Sequence, residues 1–122
     1  MKTSILAFAA ALTLGAGATS AMAQDAVGST QQCVRLSDIR ESPIVDDKTI
    51  VLKMRGRDEF KRVDMRGTCS GMKFSGIGHS TPTGELCTSN AITVLQPVGA
   101  NCMIEKIVTI DKAEADTLLA KR

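Results

Sequence analysis

Hydrophobic and polar positions alternate most clearly in the middle of this chain. Thr49 to Met54 (TIVLKM) is rich in β-branched and apolar residues, the composition of a strand. Arg55-Gly56-Arg57-Asp58-Glu59 follows as a hairpin connection carrying Gly56. Phe60 to Met65 then returns with Phe60, Arg62 and Asp64 set against Lys61, Val63 and Met65. Successive strand residues point to opposite faces, so Val63 and Met65 are expected on the core face, with Phe60 starting the pairing. Before this hairpin, Val34, Leu36 and Ile39 fit either a short helix or an irregular strand, which Pro43 ends. Ile44-Val45 lead into Asp46-Asp47-Lys48, a turn. After the hairpin, Arg66-Gly67-Thr68-Cys69-Ser70-Gly71 is a glycine-bracketed bend, followed by a short strand around Lys73 to Ile77. Gly78 to Glu85 (GHSTPTGE) is a loop by composition. Leu86-Cys87 and Ala91 to Leu95 supply one broken strand or two short ones, Pro97 and Gly99 mark a turn, and Met103 to Ile110 is a final long strand.

The period then changes. Asp111-Lys112-Ala113-Glu114 matches a capping box, with Asp111 as N-cap and Glu114 reaching back. Ala115, Leu118 and Leu119 follow at helical spacing, predicting a short amphipathic helix from Lys112 to Ala120. Five or six short strands with turn signals near every ten residues, plus this helix, predict a mainly β fold, a small antiparallel barrel or rolled sheet.

The other end reads differently. Lys2 precedes an apolar run from Ile5 to Leu14 broken only by Thr13, and Gly15 to Ala23 is a small-residue tail ending in Ala21-Met22-Ala23. This is the pattern of a secretory signal peptide cut between Ala23 and Gln24. The run is too short for a membrane span, and no second one follows. No cysteine sits just after the cut to take a lipid anchor. The expected plan is a signal peptide over 1–23, a disordered polar tail over 24–32, and a single disulfide-stabilised domain over 33–122, periplasmic or secreted and monomeric.

Composition narrows how such a domain holds together. Cleavage leaves 99 of 122 residues, enough for one thin core. Phe60 and Phe74 are then the only aromatic residues, so the contact area aromatics bring to cores and binding sites is missing. The four cysteines, Cys33, Cys69, Cys87 and Cys102, all lie beyond the cut, and an even number in an oxidising compartment predicts two disulfides. Their gaps of 36, 18 and 15 positions contain no C-x-x-C, which argues against zinc and against a thioredoxin-like redox site. Of the three possible pairings, Cys69–Cys87 would close the excursion from Ser70 to Leu86, and Cys33–Cys102 would tie the N-terminal piece to the last strand. That pairing is the one expected.

Candidate chemistry is sparse. His79 is the only histidine and sits beside Ser80 in a Gly/Ser/Thr/Pro loop with no visible orienting framework, the setting of an exposed loop histidine. Asp46 and Asp47 are neighbours on an extended chain and point apart, so a turn explains them better than an acid/base pair. The glycines from Gly71 to Gly84 do not complete a phosphate loop, because Gly76 is followed by Ile77 and Gly78. Charge after cleavage is nearly balanced, 14 Lys and Arg against 13 Asp and Glu. One cluster departs from that balance. The hairpin carries Lys53, Arg55, Arg57, Lys61, Arg62 and Arg66 against Asp58, Glu59 and Asp64. Arg55, Arg57 and Arg62 could present a modest basic patch to an anionic surface. Nucleic acid is disfavoured by compartment and by the lack of stacking aromatics.

The order of Ile44-Val45-Asp46-Asp47-Lys48-Thr49-Ile50, Cys69-Ser70-Gly71-Met72, Leu86-Cys87 with Asn90, Cys102-Met103-Ile104 and the helix opening at Asp111 resembles a family of small exported bacterial four-cysteine proteins classed only as a domain of unknown function. Phe60 stands where the family pattern has Tyr, and Asn90 where it has Asp, departures that weaken any idea of an acid or metal role at Asn90. The resemblance implies no activity. The expectation is therefore an exported, non-catalytic binding or envelope-associated module with no cofactor and an unidentified envelope or extracellular partner. The alternative is a small exported enzyme or inhibitor built on the His79 loop.

Overall fold

The computed structural model describes residues 25–56, 58–79 and 83–122. The 1–23 segment, expected to be a signal peptide, therefore lies outside the described residues, as does Arg57. In chain order the elements are β1 (Thr30–Gln31), β2 (Cys33–Arg35), a 3-10 turn (Leu36–Asp38), β3 (Ile39–Glu41), β4 (Thr49–Met54), β5 (Phe60–Met65), α1 (Met72–Ser75), β6 (Ile77–His79), β7 (Glu85–Cys87), β8 (Ala91–Val94), β9 (Asn101–Ile110) and α2 (Lys112–Leu119). The main sheet runs β3-β4-β5-β9-β8-β6, all antiparallel, and curls into a half-barrel. A separate ribbon pairs β2 with β7.

The central hairpin forms as expected, with Ile50 opposite Val63 and Lys53 opposite Phe60. Gly56, at φ 82°, takes the left-handed turn that a side chain would strain. Alternation sends Ile50, Leu52, Val63 and Met65 to the concave face, where they join Ile92, Val94, Ile104 and Ile107 in the main core. Val51, Phe60, Val108 and Ile110 point the other way and are covered by Ala115, Leu118 and Leu119 of α2. Ile104 and Ile107 are three residues apart yet share one face, because Glu105 is an extra residue: Asp64 pairs with Lys106 and Met65 with Ile104.

α2 begins as expected, with Asp111 Oδ1 accepting the Glu114 N–H at 2.8 Å. The reciprocal half of the box is replaced, since the Glu114 carboxylate meets Arg62 on β5 and pins the helix to the sheet.

Three expectations need correction. Around Lys73 the chain makes the single turn α1 before β6, because Gly71 at φ 83° bends into it and Asp47 Oδ1 accepts the Lys73 N–H at 3.0 Å. The polar segment before Cys33 is not a free tail where it is described. β1 pairs with the second half of β9, and the Gly28 N–H donates to the Thr109 carbonyl at 2.7 Å. The disulfides are Cys33–Cys87 and Cys69–Cys102, not Cys69–Cys87 and Cys33–Cys102. β7 leaves the excursion after Cys69 to pair with β2, which sets Cys33 directly opposite Cys87 with Cα atoms 4.0 Å apart. Closeness along the chain did not mean closeness in space.

Candidate functional site

A half-barrel has two edges, and here they are β3 and β6. Both line one cavity of about 240 Å³ that opens where the barrel fails to close. Its floor is Ile50 and Leu52 of β4 and Leu86 of β7, each at most 3 % exposed. Leu36, Ile39 and Ile77, partly buried against the same core, make the walls. Arg40, Glu41, Ser42 and His79 are exposed and form the polar part of the lining. The interior is apolar because strand alternation directs Ile50 and Leu52 inward, while the ribbon's Leu86 enters from below. Apolar concavities with a few polar groups at one side are the usual form of small-molecule sites.

The charges at the mouth are unequal. Glu41 is neutralised by Lys53, with Nζ 3.2 Å from Oε2. Arg40 has no carboxylate within ion-pair distance among the described residues. His79 ends β6, with its Cα partnered to Ile92, so it is exposed but framed by a strand rather than carried in a free loop. Among the described residues no hydrogen bond joins it to Glu41 or Ser42.

The other candidates have structural occupations. Asp46 Oδ1 accepts the Lys48 N–H at 2.8 Å, and Asp47 holds the bend with its carbonyl on the Cys69 N–H and its carboxylate on α1. Asn90 Oδ1 accepts the Cys87 N–H at 2.9 Å and closes the turn after β7. Cys33, Glu85 and Cys87 lie close enough to share a metal ion, but the two sulfurs are bonded to each other.

The basic hairpin is largely compensated. Arg62 bonds Asp64 through Nε at 2.9 Å and meets Glu114 through a terminal nitrogen. Burial alone would loosen its proton, yet these two carboxylates outweigh that and raise the guanidinium pKa above its ordinary range. Arg62 is thus not a free cation beside Arg55.

Lys61 is the larger surprise. It is 2 % exposed, and its ammonium meets Asp25 Oδ2 at 2.9 Å, Glu59 Oε1 at 3.2 Å, Gln31 Oε1 at 2.8 Å and Thr109 Oγ1 at 3.0 Å. Three of these partners come from other segments of the chain, and the ammonium fastens 25–31 to the sheet. The pattern placed Lys61 on the face of Val63 and Met65, but nothing local named its partners. Arg40 and the cavity had no local signal at all, because two sheet ends and a ribbon build them.

No curated protein and no solved structure matches the chain. A family model does, over residues 1–122, and its description is a family of unknown function, DUF6491. Because that match covers the whole chain, the chain belongs to this family.

Proposed function

We propose that this protein is an exported, non-catalytic binding module of the periplasm or extracellular space, and that its recognition site is the cavity between β3 and β6. The apolar cavity at the unclosed seam carries the reading. Apolar walls with a few polar groups along one side are the usual make-up of a small-molecule site. Two disulfides fit an oxidising compartment, and among the described residues no helix is long and apolar enough to cross a membrane. Signal-peptide removal after Ala23 belongs to the same proposal.

A second reading, a small exported enzyme, draws on His79, Ser42 and Glu41 sharing one cavity. It is weaker, since Glu41 is committed to Lys53 and nothing orients the imidazole. Titration with indole, followed by methyl NMR, tests the binding reading. Shifts confined to Leu36, Ile39, Ile50, Leu52, Ile77 and Leu86 support it; absent or scattered shifts overturn it.

A further inference from the structure

We infer that the ligand is a small single-chain amphiphile with an anionic head, its tail among Ile50, Leu52 and Leu86 and its carboxylate at Arg40. This rests on the cavity being a binding site and specifies what enters it.

Size comes first. Each water-sized group occupies roughly 30 Å³, so 240 Å³ holds about eight of them. A two-chain lipid is far larger. Sheet edges such as β3 and β6 are also places where a partner adds a strand. β3 and β6 are each only three residues long, however, well short of the usual length of about five or six, so each edge offers an added strand little length to pair along.

Charge comes second. The inner lining is hydrocarbon, which favours a tail without polar atoms. Glu41 is already paired with Lys53, while Arg40 lines the same cavity and among the described residues has no carboxylate within ion-pair distance. A guanidinium binds a carboxylate through two parallel hydrogen bonds, a geometry that an alcohol or amine cannot match. His79 lies on the same lining and adds a further polar contact at the mouth. The recognised molecule is therefore a monocarboxylate with a linear or compact apolar body of about seven or eight carbons.

Calorimetric titration of the oxidised protein with octanoate, octan-1-ol and octylammonium separates the claims. Octanoate should bind at least about tenfold more tightly than the other two, in keeping with a charge-assisted pair. Arg40→Gln should erase the preference for octanoate over octanol and leave octanol binding as it was. Ile77→Trp should fill the cavity and abolish binding of all three, with thermal unfolding checking that the variant is folded. Equal binding of octanol and octanoate by the unaltered protein, or a preference that survives in Arg40→Gln, would overturn the anionic assignment and leave the cavity as a binding site. Failure of all three probes to bind would overturn both.

Discussion

Opening the two disulfides one at a time should restore similar entropy to the unfolded chain and cost unequal stability. Cys33–Cys87 spans 54 residues and Cys69–Cys102 spans 33. In the loop-closure model these are worth about 4.2 and about 3.7 kcal/mol, a difference too small to rank them. Burial ranks them instead. Cys69 is 1 % exposed within the main core, whereas Cys33 is exposed at the edge of the ribbon. Replacing Cys69 and Cys102 by Ala therefore also leaves a void in packed surroundings, adding about 1 kcal/mol or more. The expected losses are about 5 kcal/mol for that pair and about 4 kcal/mol for Cys33→Ala with Cys87→Ala. Small domains have about 5–15 kcal/mol in all, so both losses are large, and the Cys69/Cys102 variant should unfold at the lower urea concentration. Urea titration followed by circular dichroism measures both, and non-reducing peptide mapping of the unaltered protein verifies the pairing. A Cys69–Cys87 or Cys33–Cys102 peptide, or a larger loss in the Cys33/Cys87 variant, would refute the reasoning.

Lys61→Met should lower stability by about 2 kcal/mol, or about 10 °C in the midpoint, while Asp25→Asn costs under about 1 kcal/mol because Asp25 is half exposed; hydrogen exchange should show residues 25–31 loosened first in the Lys61 variant. Arg62→Gln should cost about 1 kcal/mol by releasing α2 from β5. Because the raised Arg62 pKa means its contribution is present below the ordinary guanidinium range and lost only in strong alkali, that cost should be the same at about pH 7 and about pH 9 by thermal melts. Gly71→Ala should cost about 1–2 kcal/mol, since the position has φ 83° and the new Cβ would lie 2.7 Å from Val98 Cγ2. Phe74→Ser should leave the midpoint unchanged within error, the ring being 92 % exposed.

What the sequence disclosed was local, and what it withheld was assembled from afar. The β4–β5 hairpin, the long β9 and the capped α2 each carry their pattern in one continuous stretch; the hairpin and α2 formed where expected, and β9 begins two residues earlier, at Asn101. Lys61 was legible as an inward-facing position but not as an anchor, because Asp25 and Thr109 lie 36 and 48 residues away. The capping of α1 by Asp47 crosses 26 residues. The bulge at Glu105 breaks the alternation of β9 without glycine or proline to mark it. The disulfide pairing failed for the same reason: it depends on β7 crossing to β2, and three-residue strands have too little pattern to announce a partner.

The seam between β3 and β6 also has an identifiable origin. Each is only three residues long, and Pro43 stands two residues past the end of β3. A full barrel needs its first and last strands to pair along a continuous register, and strands this short leave that register unfilled. The β2–β7 ribbon occupies part of the opening, with Val34 and Leu86 buried in the main core. Cys33–Cys87 clamps the two ribbon strands to each other next to those residues. The bridge nearest the surface is thus the one holding the cavity floor at Leu86 and, through the Leu36 N–H donating to the Gly84 carbonyl at 3.0 Å, the wall at Leu36. The less buried disulfide matters less to the stability of the whole fold than its partner does, and more to the shape of the space that the fold leaves open.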